Sequence, residues 1–138
     1  MWTRDIKSKV FTVIQVETRK EITKRYPTKT NYQKVTFTAN DKSDTPATFP
    51  NVYLKEMQGA ETGRDLSNKS INFVYDDYQI EVTDNASPDT TADIADIVGD
   101  IMVEQGFEMI GRPFQDNSDG SYRNVSRWRR LLGSGNKY

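Results

Sequence analysis

The stretch Thr90–Gly106, TTADIADIVGDIMVEQG, decides how this chain folds. Ile94, Ile97, Val98, Ile101 and Met102 fall at i, i+3, i+4, i+7 and i+8, which is one apolar stripe on a helix of about four turns. Asp93, Asp96, Asp100 and Glu104 cover the other side, as on a solvated helix face. Ser87 before Pro88 supplies an N-cap with proline at the first helical position, and Gly106 ends the helix. A short apolar strand, Phe107 to Ile110, follows at once. A sheet with a helix laid on one face follows from this order.

Upstream of the helix lies a long alternating segment, Ile71 to Val82. Its apolar residues change parity: Ile71, Phe73 and Tyr75 are odd, whereas Tyr78, Ile80 and Val82 are even. Successive strand residues point to opposite faces, so the apolar face would flip. A bulge at Asp76-Asp77 would restore it, whereas a two-residue hairpin there would lack the usual glycine. One long bulged strand is the expectation. Further back, Phe49 to Met57 and Gln33 to Thr38 read as strands, separated by the polar, proline-bearing loop Asn40 to Thr48. Gln58 to Lys69 holds two glycines and no apolar pattern, and reads as a long loop. The N-terminal segment from about Thr3 to Arg25 reads as a helix with Ile6, Val10, Val13, Ile14 and Ile22 near one side and Pro27 as its stop. The β-branched run around Val13, Ile14 and Val16 suggests a break at Val16 to Thr18.

Downstream, Gln115 to Gly120 reads as a turn, Tyr122 to Arg130 as a closing strand, and Gly133 to Tyr138 as a flexible tail. The expected fold is therefore α+β, a mostly antiparallel sheet of about five strands packed by two helices in the order α-β-β-β-α-β-β. It forms a single domain over residues 1–132 with a long loop at 58–69 and a tail at 133–138.

A chain of 138 residues buries roughly two thirds of the surface that it exposes when unfolded, enough for a core without staples. It has neither cysteine nor histidine, which removes disulfides, thiolate metal sites and the commonest general base. Nineteen basic residues face twenty acidic ones, so attraction to DNA or membrane is not written into the net charge. Apolar runs are too short to span a membrane and no signal-peptide core is present, so a cytoplasmic protein is expected.

Gln115-Asp116-Asn117-Ser118-Asp119-Gly120 resembles the start of a calcium loop. It has Gln115 where an acid is needed and Ser126 where the bidentate glutamate belongs. A polar turn is the better reading, and no metal or cofactor is expected. Asp76 and Asp77 are adjacent on a strand, so they do not converge as a catalytic pair. The basic-aromatic ribbon Tyr122 to Arg130 alternates so that Arg123, Arg127 and Arg129 share one side, with Trp128 on the other. Such a ribbon suits nucleic-acid phosphate or the acids of a neighbouring subunit. The subunit reading is preferred because the rest of the chain is not basic. No phosphate loop, nucleophile elbow or triad is present, so no enzyme activity is expected.

Taken in order, Tyr26-Pro27, Phe49-Pro50-Asn51-Val52, the long strand ending Gln79-Ile80-Glu81-Val82, Ala92-Asp93-Ile94-Ala95-Asp96-Ile97, Gln105-Gly106-Phe107 and the closing Tyr122-Arg123 strand carry a resemblance. The chain resembles the tail-terminator (tail-completion, or minor capsid) proteins of long-tailed bacteriophages, from about Val10 to Arg130. The resemblance implies a homo-oligomeric ring, typically a hexamer, in the tail-neck region of the virion and assembled in the bacterial cytoplasm. Its partners would be the tail tube protein and a head-closure or connector protein, with DNA only passing through the lumen. Glu61, Arg64, Asp65, Asp76, Asp77, Arg123, Arg127 and Arg129 are the candidate residues for the subunit or tail-tube interface. A small nucleic-acid-binding module built on Tyr122 to Arg130 is the alternative.

Overall fold

Alternating apolar residues build the sheet. The computed structural model describes residues 6–39, 48–57, 61–64, 71–118 and 120–133. Its two central strands are β4 (Ile71–Asp84) and β7 (Ser121–Gly133), antiparallel and in unbroken register from Phe73 opposite Gly133 to Asp84 opposite Tyr122. The expected bulge at Asp76-Asp77 does not form. Asp76, Tyr78, Ile80, Val82 and Asp84 all lie on one face and all are buried. Asp76 takes a core-side position that the sequence pattern assigns to an apolar residue, because a buried arginine faces it from β7.

β2 (Asn51–Met57) pairs antiparallel with the later part of β4, and β3 (Glu61–Arg64) with its beginning. β1 (Thr36–Thr38) lies parallel to β2. On the far side of β7, β6 (Phe114–Ser118) pairs with its start and β5 (Glu108–Met109) with its middle. Among the described residues the sheet is thus mixed but mostly antiparallel and has seven strands, five on the path β1-β2-β4-β7-β5, with β3 attached to β4 and β6 to β7. Two segments read as loop and turn are strands: part of Gln58 to Lys69 is β3, and most of Gln115 to Gly120 is β6. Gly133 belongs to β7 rather than to a tail. The remaining tail residues, 134–138, lie outside the described residues.

Helices cover the even-numbered face of β4. α1 (Ile6–Arg25) buries Ile6, Val10, Ile14, Thr18 and Ile22, one residue every four. The helix has no break at Val16 to Thr18. Its single buried row overrides the weak propensity of the β-branched residues, and Val13, expected on that side, is exposed with Val16. A short helix, α2 (Thr30–Gln33), replaces the first half of the strand expected over Gln33 to Thr38. Thus the element order departs from the seven-element expectation, with a third helix and two further strands.

α3 (Pro88–Glu104) follows the sequence reading closely. Ser87 Oγ accepts from Asp89 N at 3.1 Å, and the stripe from Ile94 to Met102 is buried. The helix closes in a Schellman arrangement: Gly106, at φ +90°, donates to Val103 O and Phe107 donates to Met102 O, both at 3.0 Å. The acidic side is less solvated than expected. Tyr32 OH donates to Asp93 Oδ2 at 2.6 Å, and Arg25 Nη1 lies 3.1 Å from Asp100 Oδ2, tying α2 and α1 to α3.

Candidate assembly surface

Two successive rungs of the β4–β7 ladder carry opposite charges on opposite faces. Asp77 faces Arg129 and Asp76 faces Arg130. On the open face, Arg129 donates from Nε and Nη2 to the two carboxylate oxygens of Asp77, each at 2.8 Å, and its guanidinium lies 4.7 Å from the Tyr75 ring centroid. The hydrogen bond to Asp77 raises the Arg129 pKa. On the helix face, Arg130 Nε donates to Asp76 Oδ2 at 3.0 Å and Nη1 to the Gln105 carbonyl at 3.2 Å, with the Phe107 ring 4.4 Å away. Burial holds the Asp76 carboxyl above the usual carboxylate range, although Arg130 pulls the other way.

Arg123 donates to Glu81 Oε1 and Asp116 Oδ2, both at 2.7 Å. Thus Arg123, Arg127 and Arg129 do share the open face, but two of the three are held by carboxylates of the same chain. Arg127 is exposed and, among the described residues, forms no ion pair. It borders a cleft of about 320 Å³ with Met57 and Ile110. A nucleic-acid reading of the ribbon needs several free cations; these pairs leave it one. Of the other candidate residues, Glu61 and Arg64 sit in β3, opposite Val74 and Ile71, and Asp65 lies outside the described residues.

The second feature is a groove of about 450 Å³ between α3 and the β5–β6 edge. Ala95, Gly99 and Val103 of α3 line it together with Met109, Pro113 and Trp128. Gly99 lets the helix approach the indole closely: a Cβ there would stand 3.3 Å from Trp128 Cζ2. Trp128 is itself buried, and its Nε1 donates to Ser126 Oγ at 2.9 Å. Asp96 and Asn124 add polar atoms to the groove. The Asn124 amide is oriented by a relay: its Nδ2 donates to Gln115 Oε1, Gln115 Nε2 to Thr91 Oγ1, and Thr91 Oγ1 to the Pro88 carbonyl. This orientation leaves Asn124 Oδ1 buried without a donor. Arg25, the cation beside the groove, is already engaged by Glu21 and Asp100, and the Asp100 hydrogen bond raises its pKa. In the groove the chain exposes Val103 and Met109, and Ile110, which lines the Arg127 cleft, is exposed as well.

Sequence reasoning missed Asn124, Gln115 and Gly99. The roles of Asn124 and Gln115 depend on β6 folding back on β7, a strand that the polar composition of β6 hid, and that of Gly99 depends on α3 lying against Trp128. The calcium-like segment is that same strand, with Asp116 held by Arg123. No cluster of three or more metal-ligating side chains occurs among the described residues, and none of their helices is long and apolar enough to cross a membrane. No protein-family model matches the chain, and no curated protein matches it.

Proposed function

We infer that this chain is a structural virion protein: a ring that caps the head-proximal end of a long-tailed phage's tail tube, ends tube polymerisation and joins the tail to the head connector. The sequence resemblance supplies the identity. The observation that carries an assembly role is the exposed apolar surface around β5: Val103, Met109 and Pro113 line a groove that reaches Trp128, and Ile110 lines the cleft beside Arg127. A contiguous apolar patch with a polar rim marks a surface that another protein covers. Arg123 and Arg129 are engaged within the sheet, so of the arginines on the open face Arg127 is the one left for a neighbouring subunit.

Native mass spectrometry of the purified protein, with electron microscopy of tails assembled in its presence and absence, tests the reading. Closed rings in solution or at tube ends, and overlong tubes without the protein, are expected. Monomers at every concentration, with tubes of unchanged length and no density at their ends, would refute it.

A further inference from the structure

The groove and the open face are complementary in a specific way. The groove offers the exposed Asp96 carboxylate, which has no cation partner among the described residues, while its own cation, Arg25, is held by Glu21 and Asp100. Its apolar wall suits the stem of a long cationic side chain. The open face of the same molecule offers the converse, Arg127, a guanidinium with five donors and no carboxylate partner among the described residues. Trp128, which floors the groove, follows Arg127 directly in β7, so the two surfaces lie on opposite faces of one strand. Arg127 therefore cannot reach its own groove.

The geometry points to a head-to-tail contact between copies of this chain, in which Arg127 of one copy enters the groove between α3 and β7 of the next and donates to the Asp96 carboxylate. A contact of two different surfaces propagates from copy to copy and gives a ring where the rotation closes. This rests on the ring reading above and names the surfaces that would make it. Met57 and Ile110 beside Arg127, and Met109 and Pro113 beside the groove, would supply the apolar surround that excludes water from the charged pair.

Charge reversal tests the contact. Asp96→Arg and Arg127→Glu each place like charges across it, and each should weaken self-association by roughly 100-fold or more, read by sedimentation velocity and native mass spectrometry. Far-ultraviolet circular dichroism should show both variants folded, as both positions are exposed. Combining the two reversals in one chain restores an opposite-charge pair at every contact and should restore the wild-type assembly. Mixing the two single variants should also restore association, in alternating order. Rings from either single variant as stable as the wild type's would overturn the contact while leaving the ring reading standing. So would single variants that fail to assemble and are rescued neither by the combined reversal nor by mixing. A wild-type chain still monomeric at about 1 mM and absent from tube ends would overturn both.

Discussion

Arg130 and Asp76 face each other across β7 and β4 at 3.0 Å, with side-chain exposures of 9% and 6%. One rung away, Arg129 and Asp77 make a pair of similar geometry whose arginine is 45% exposed. The same two residue types thus occupy neighbouring rungs in different solvents. Removing one partner of a buried pair leaves a charge without compensation, whereas a solvated arginine returns to water. Asp76→Ala is expected to cost about 3–5 kcal/mol. Asp77→Ala should cost about 1 kcal/mol. Urea denaturation of the two variants checks the order, and equal costs would contradict the burial difference.

Tyr32 gives a pH dependence of definite sign. Burial, and then the hydrogen bond to Asp93, push its pKa up from 10.0 to about 12. The unfolded chain ionises this phenol near 10.0, while the folded chain keeps it protonated to about 12. In that window the folded state binds more protons, so stability falls as pH rises. The contribution is complete below 10 and is lost on passing through about 12. Tyr32→Phe should flatten that alkaline loss. The tyrosinate absorbance difference between wild type and variant should titrate near the higher value, and a difference titrating near 10 would refute the assignment.

The phase of α3 is testable by truncation. Ile97 and Ile101 are buried against the sheet, whereas Asp96 is exposed. Ile97→Ala and Ile101→Ala should each cost about 2–5 kcal/mol. Asp96→Ala should stay within about 0.5 kcal/mol of wild type for the monomer. Denaturant titration below the association range gives these values directly.

Gly99 sits in the same helix at the point where the Trp128 ring approaches. Gly99→Ala gains about 1 kcal/mol of helix propensity and loses a comparable amount in shifting the indole, so near neutrality is expected. In Gly99→Leu the Cβ presses the indole and the larger side chain must crowd it or turn into the groove, which should cost about 1–3 kcal/mol. A change in tryptophan emission should accompany the leucine variant. Leucine tolerated without loss would mean that the indole is not held against the helix.

α3 was legible because its signals are local: a 3.6-residue period, a Ser-Pro start and a glycine stop. The α+β class and the strands at β2, β4 and β7 were legible for the same reason. β3 and β6 were not, because each is polar and becomes a strand only by pairing with a long neighbour. The bulge was a reasonable expectation from Tyr75 and Tyr78 alone. It is absent because a charge at 76 is tolerated in the core once Arg130 stands opposite, a fact of register that no local window contains. The arginine ribbon was visible too, as was its shared face. What separated Arg127 from Arg123 and Arg129 was the position of Glu81, Asp116 and Asp77 across the sheet.

The sheet's outer edges have a consequence for how copies can add to one another. At one side the last strand is β1, three residues long. At the other side are β5, of two residues, and β6, of five. Backbone stretches this short give an incoming strand few amide and carbonyl groups to pair with, so the sheet is a poor template for edge-to-edge extension. Strand addition has no inherent stopping point, since each new strand presents another edge. A contact through two different side-chain surfaces stops where the rotation between copies closes a ring, since both surfaces of every copy are then consumed. The blunt edges therefore bias the protein against fibres built by strand addition.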